Sequence, residues 1–434
     1  MSVTDFGQAF ARRTHVAGGN ELATILAGSP PGVLSMTGGF PNPATFPTGE
    51  LDEIAGRLLR EDAAVALQYT PCEGLGSVRE YLVDRQEQLQ GRRPDMAELI
   101  VTSGGMECIT LMCQALVDPG DAVAVESPTY LAALMAFGRA EAEAVPIPMD
   151  EDGLRIDLLE ERLSDGLRPK FVYTIPEYQN PSGRTLPLER RRRLVELCRE
   201  HGLLILEDVA YRELSFDGTS LPTLWSLAPD LVLQAGTFSK SFFPGVRLGW
   251  AVGPSAVVAE LAAAKQNTDQ CAGGLGQRMV EEYGRGGGFE RHLPAARALY
   301  ASHWTALTAA LERRMPEGVV WTKPTGGFLT WLTLPERVDT MAMRPAALAA
   351  GVAYVPGPPF FAGVGGHNTM RLSFSHLTES ELEAAVERLA GVVSAAILAD
   401  CVLRDLGGAC LAPRQASLDA PRRERRDSNP RPPA

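Results

Sequence analysis

From about Glu50 to Trp250 the chain alternates segments of helical periodicity with short apolar runs. The helical segments include "ELDEIAGRLLREDAA", "GLGSVREYLVDRQEQL", "MECITLMCQALV", "AALMAFGRA" and "LPLERRRRLVELCREHG". Between and after them stand "ELIVTS", "DAVAVES", "FVYTIP", "LLILED" and "LVLQAGTF". These short runs lack the polar–apolar alternation of a strand with one wet face, so they read as strands buried on both sides. Crossovers long enough to carry a helix join parallel neighbours. The pattern therefore predicts an α/β architecture, a large domain with a mostly parallel sheet flanked by helices on both faces.

The remaining segments frame that unit. Residues 1–49 are rich in Gly, Pro and Thr and end in "MTGGFPNPATFP", which suits irregular chain or a short extended segment. The large domain is expected over 50–293. After about Pro294 come a long helix, "AARALYASHWTALTAALERRM", strand-like "GGFLTWLTL" and "MRLSFSH", and a helix, "TESELEAAVERLAGVVSAAIL". These predict a smaller α+β domain over 294–398, which the N-terminal segment joins. Residues 399–434 hold much Pro and five Arg in the last fourteen, and are expected to form a disordered tail.

Composition narrows the function. The 434 residues are 45% hydrophobic and 22% charged, with a net charge of −12. A surface that tracks nucleic-acid phosphates needs an excess of Lys and Arg, so a nucleic-acid partner is not expected. The stretch "LAGVVSAAILA" is too short to span a bilayer, and no apolar run follows a basic start. Seven cysteines with no C-x-x-C pair argue for free thiols in a reducing, cytoplasmic setting rather than disulfides or a zinc site.

Three polar features fall where strands end. In "VTSGGMEC" a strand runs into Ser103-Gly104-Gly105 and then a helix, whose first N–H groups favour an anion. Taken alone this is also what a plain strand-to-helix turn looks like. In "LLILEDVAY" Glu207 and Asp208 end an apolar strand, where a carboxylate is costly unless it meets a cation or caps a helix. In "LQAGTFSKSFFPGVRLGW" Lys240 lies on a turn between two apolar strands, with Thr237, Ser239 and Arg247 close by. A lysine can form a Schiff base with a carbonyl cofactor. A carboxylate can hold a pyridinium nitrogen protonated, and a helix N-terminus with hydroxyls and an arginine can hold a phosphate. Those are the requirements of pyridoxal 5′-phosphate.

With these residues in view the chain resembles the fold-type I, class I/II aminotransferases. It is most similar to the branch of 2-aminoadipate and kynurenine aminotransferases and MocR-type regulators. The resemblance covers residues 34–389 and rests on "GGFPNPATFP", "LQYTPCEGLGSVREYL", "SPTY", "PEYQNPSGRTL", "LEDVAYRELSF", "TFSKSFFPGVRLGW", "PTGGFLTWL" and "RLSFSH". It implies that Lys240 carries the cofactor and shuttles the proton, with Asp208 on the ring nitrogen and Tyr130 stacked on the ring. It implies that Asn180 and Tyr211 hold the ring 3′-oxygen. Around the phosphate it places Ser103, Gly104, Gly105, Met106, Thr237, Ser239 and Arg247, with Tyr69 reaching the neighbouring subunit of a homodimer. Arg371 would grip the substrate α-carboxylate, with Gly39 and Asn180 also at the substrate.

Two departures from the family pattern matter. The phosphate turn reads "GGMEC", so Gly105 and Met106 offer only backbone donors. No Lys or Arg occurs between Arg13 and Arg57, where relatives acting on long acidic side chains carry an arginine. An unpaired buried charge is expensive, so a donor without an acidic side chain is expected. The implied reaction is a ping-pong transfer of an amino group from an L-amino acid to a 2-oxo acid. The same residues would also serve lyase, decarboxylase, cyclase or oxidase chemistry on an amino acid, which stays as the alternative. A regulator is not expected, because only about 35 residues precede "TGGFPNP", without a basic helix pair.

Overall fold

The computed structural model describes residues 9–15, 23 and 29–407. Its centre is an eight-stranded sheet. In spatial order the strands are Leu99–Thr102, Gly249–Val252, Val232–Thr237, Leu204–Asp208, Phe171–Thr174, Ala122–Ser127, Glu143–Asp150 and Gly153–Leu154. Neighbours from Val232–Thr237 to Glu143–Asp150 pair in parallel. Gly249–Val252 runs antiparallel to both its neighbours, and Gly153–Leu154 is an antiparallel edge. Leu99–Thr102 thus points the same way as the central strands. The sheet is mostly parallel, as the pattern predicts.

The antiparallel strand has a local cause. Residues 238–248 are too few for a crossover helix, so the chain turns straight back beside the strand it has just left. Lys240 sits on that return, at the carboxyl end of Val232–Thr237. Close packing of backbones defines the same corner. A Cβ on Gly249 would stand 2.5 Å from Gly236 O and 3.0 Å from Gly104 Cα, so only glycine lets the three segments meet.

Apolar side chains cover both faces of the sheet. One face packs Ile109, Phe137 and Leu261 from the helices Gly105–Leu116, Leu131–Arg139 and Ser255–Gln266. The other packs Leu82, Leu163, Leu197 and Tyr283 from Gly76–Gln90, Ile156–Ser164, Leu188–Glu200 and Gly274–Arg285. A second, antiparallel sheet is ordered Val320–Trp321, Leu329–Thr333, Thr369–Ser373, Val355–Pro356. The helices Gly288–Arg314 and Glu379–Gly407 pack against each other beside it. Leu34–Ser35 pairs with Val352–Ala353, and Ser373 N donates to Met36 O at 2.8 Å, which fastens the segment after residue 33 to this second layer.

Three elements differ from the sequence expectation. The strand Glu143–Asp150 is not among the segments read from the sequence, and it carries Pro146 and Pro148. Both prolines have the same parity, and beyond this strand lie only the two residues of Gly153–Leu154, so their missing N–H groups cost no central ladder bond. The long helix begins at Gly288 rather than after Pro294, which it carries in its interior. Burial of Phe289, Leu293 and Tyr300 on one side of that helix outweighs the lost backbone bond. The last helix runs to Gly407, so the segment expected to be disordered from 399 starts as helix. Residues 408–434 of that tail lie outside the described residues.

Candidate active site

The carboxyl ends of the parallel strands open into a cavity of about 940 Å³. Of the residues singled out from the sequence, Gly39, Gly105, Met106, Tyr130, Asn180, Asp208, Tyr211, Thr237, Ser239, Lys240, Arg247 and Arg371 line it. They come from strands, a helix start and loops spread along the chain from Gly39 to Arg371. Ser103 and Gly104 stand behind the lining, and Tyr69 lies on the outer surface, 81% exposed.

One end of the cavity is an anion cradle. The strand Leu99–Thr102 ends in the turn 103–105, and the helix Gly105–Leu116 starts there with unpaired backbone N–H groups. Gly104 has φ +104°, and a Cβ on it would stand 2.7 Å from Arg247 Nη2. Arg247 donates through Nη2 to Ser103 O at 3.1 Å and through Nη1 to Ser239 Oγ at 3.2 Å. Thr237 Oγ1 donates to Ser239 Oγ at 3.0 Å. Helix start, two hydroxyls and a guanidinium thus converge on one spot. Behind the turn, Ser103 N donates to Glu107 Oε2 at 2.6 Å and Ser103 Oγ to Asp269 Oδ2 at 2.5 Å. Lys265, with no exposed surface, ties both carboxylates together at 2.6–2.9 Å. That support was not legible in "AAAKQNTD", where the lysine looks like an ordinary helix surface residue.

At the floor lies Asp208, the last residue of its strand and buried. Burial raises its pKa; hydrogen bonds from Tyr173 OH at 3.0 Å and Ala210 N at 3.2 Å, and the charge of Lys240, oppose the rise. Tyr173 was also missed, although a tyrosine inside "FVYT" needs a partner for its hydroxyl. Glu207 points elsewhere. It accepts from Leu224 N at 2.7 Å, Trp225 N at 3.0 Å and Gln234 Nε2 at 2.8 Å, and so caps a short helix.

Lys240 reaches in from the return between its two strands. Its Nζ donates to Gly39 O at 2.8 Å and stands 5.9 Å from the centroid of the Tyr211 ring. Burial, then the charges of Arg371 and Arg247, push its pKa down to about 8; Asp208 pulls the other way. Arg371 comes from the middle of the second sheet and is buried. It donates through Nη1 to Asn180 Oδ1 at 2.9 Å and through Nη2 to Thr37 O, while its Nε has no partner. Its guanidinium lies 5.0 Å from the Phe360 ring centroid, and burial lowers its pKa to about 10. Burial also raises Tyr130 to about 12 and Tyr211 further, so both hydroxyls stay protonated near neutrality.

The electrostatic balance is one-sided. Arg139, Lys240, Arg247 and Arg371 line the cavity, against one carboxylate, Asp208. A chain with a net charge of −12 has concentrated positive charge where a ligand would bind. Apolar side chains of Phe40, Met106, Ile109, Leu131, Met135 and Phe360 make up much of the remaining wall. The site suits a ligand with two separated anionic groups and a flat or apolar body.

Residues 44–389 match the family described as aminotransferase class I and II. The chain is 40% identical over 366 residues to aromatic-amino-acid aminotransferase 1 of Thermococcus litoralis, covering 83% of this chain and 88% of that one. The multiple substrate aminotransferase from Thermococcus profundus is 36% identical, with a TM-score of 0.86 over 91% of this chain and all of that one. LysN, the alpha-aminoadipate aminotransferase of Thermus thermophilus, solved with N-(5'-phosphopyridoxyl)-L-leucine, is 35% identical with a TM-score of 0.85. It is matched over 91% of this chain and its full length.

The position of Lys240 has a consequence for stability. With a pKa of about 8 folded and 10.5 free, the folded chain binds fewer protons than the unfolded chain between those values. The contribution of Lys240 to the stability of the cofactor-free protein should therefore rise with pH across that window and be flat below it. The Lys240→Met variant should lack the rise. Urea unfolding of both proteins at either end of the window measures it, and parallel pH profiles would contradict the assignment.

Proposed function

The chain belongs to the class I and II aminotransferases, and from that premise we propose how its site divides the work. It is a pyridoxal-phosphate-dependent enzyme that moves the amino group of an L-amino acid to a 2-oxo acid in two half-reactions. The observation that carries the division is the meeting of Lys240, Asp208 and Arg371 in one cavity, beside a separate anion cradle.

The residues present fit the cofactor. The cradle of Thr237, Ser239, Arg247 and the helix start at Gly105 and Met106 would take the phosphate, with Ser103 and Gly104 shaping the turn from behind. The buried Asp208 carboxylate would hold the proton on the ring nitrogen. Asn180 and Tyr211 would hold the ring 3′-oxygen and Tyr130 would cover one face. Pyridoxal phosphate, when bound, supplies an aldehyde that takes up the amino group and a ring that draws off the electron pair released at the substrate Cα.

Each protein group then has a task. The fork of Arg371 takes the substrate α-carboxylate in a bidentate grip. Asn180 fixes the orientation of that fork through its bond to Nη1. Lys240, once released, stands where it can take the proton from Cα, and a pKa near 8 suits a base that must also give it back. The Gly39 carbonyl holds its amine in place meanwhile.

We read the donor side chain as apolar, aromatic or neutral. The cavity wall is largely apolar, and Arg139, the cation not assigned above, is exposed at its edge. We also read the enzyme as a cytoplasmic homodimer of amino acid metabolism with sites built from both chains. Leu67 and Tyr69 support the dimer, because they stand 62% and 81% exposed on one stretch, as a surface awaiting a partner does.

An amino-acid panel with a common 2-oxo acid tests the reaction and the preference together. Both reactants should be consumed in equal amounts, with kcat/KM higher for aromatic and aliphatic donors than for glutamate or 2-aminoadipate. Consumption of the amino acid alone would mean another chemistry. In the same assay Asp208→Asn should lose at least ~10²-fold, about 2.7 kcal/mol. For the shared site, Lys240→Ala is mixed with a Tyr69→Glu variant and subunits are allowed to exchange. Hybrids should regain activity, since one chain brings a sound Lys240 and the other a sound Tyr69. No recovery, or an active monomer, contradicts the shared site.

A further inference from the structure

Glu126 is the one acidic residue of the strand Ala122–Ser127, and only 2% of it is exposed. It does not line the cavity, and neither does Gln179. Its Oε1 accepts from Thr174 Oγ1 at 2.5 Å, and both its oxygens accept from Ile175 N at 3.3 Å. Its Oε2 accepts from Gln179 Nε2 at 2.9 Å. The same Nε2 donates to Pro128 O at 2.9 Å, and Gln179 Oε1 accepts from Ser182 N at 2.9 Å and Ser182 Oγ at 2.6 Å. Every donor and acceptor of the Gln179 amide is therefore engaged, in a place where Thr174, Gln179 and Ser182 are all buried.

This network joins two loops that leave neighbouring parallel strands. One loop carries Pro128 and Tyr130; the other carries Gln179, Asn180 and Ser182. Asn180 in turn holds Arg371 Nη1. Burying a carboxylate is costly, and an apolar pair would pack two loops together without that cost. What hydrogen bonds add is a fixed register between the loops. We propose that Glu126 and Gln179 form a positioning clamp that sets Tyr130 and Asn180 relative to each other, and through Asn180 the carboxylate grip of Arg371. The clamp rests on the functional reading above, since it acts on the cofactor ring and the substrate through those residues.

The test uses Glu126→Leu, Gln179→Leu, the double variant and Glu126→Gln. Pyridoxal phosphate affinity, the pH midpoint of the bound cofactor's absorbance, KM and kcat are measured, with thermal unfolding of the cofactor-free proteins beside them. Each leucine variant should weaken cofactor binding and raise KM about ten-fold and should move the absorbance midpoint. The double variant should cost clearly less than the two singles combined, because both break one bridge. Glu126→Gln should stay close to the parent, because its carbonyl still accepts from Gln179 and the Thr174 hydroxyl can turn to accept from its amide. Effects that add, or a lower melting temperature with parental midpoint and KM, would overturn the clamp. Should Glu126→Leu fail to fold, Gln179→Leu carries the same spectral prediction. A parent that binds no pyridoxal phosphate fails the functional reading; a parent that binds it beside unshifted variants fails the clamp alone.

Discussion

The buried carboxylate of Asp208 is the constraint around which the rest of the site is arranged. It ends a central parallel strand at the floor of the cavity, where little of its surface is exposed. Such a group must be offset by donors and by positive charge. Tyr173 and Ala210 supply two hydrogen bonds, and Lys240 supplies charge. The parallel sheet makes this possible, because it brings several strand ends to one edge and so lets distant loops share a cavity. The one antiparallel return, residues 238–248, delivers Lys240 and Arg247 to the same edge. Arg371 arrives from the second sheet. Two layers must therefore hold a fixed relation for the lysine and the arginine to face each other.

The groups in the cavity pull each other's ionisation in directions that suit catalysis. Burial makes the Lys240 ammonium and the Asp208 carboxylate both less favourable than in water, while each partly stabilises the other. A lysine brought down to about 8 exchanges a proton near neutral pH far more readily than one at its usual value. The surplus of cations leaves room for two anionic groups, one in the cradle and one at Arg371.

Parts of this were legible in the sequence and parts were not, for physical reasons. Thr237, Ser239, Lys240 and Arg247 sit within eleven residues on one turn, so their shared purpose shows in a single line of text. The apolar runs around Asp208 announced its burial. Gly39, Asn180 and Arg371 became neighbours only through folding, and the family resemblance rather than spacing named them. Glu126, Tyr173 and Lys265 escaped notice because a polar side chain in an apolar run declares neither its direction nor its partner. Glu143–Asp150 escaped because its prolines argue against a strand unless the edge they face is known.

The central claim is that Lys240 is the residue that holds the cofactor. Borohydride reduction of the enzyme loaded with pyridoxal phosphate, followed by digestion and mass spectrometry, tests it most directly. The account predicts the reduced cofactor on the peptide that contains Lys240, and loss of that label in Lys240→Ala. A label on Lys265 or Lys323 in its place would contradict it.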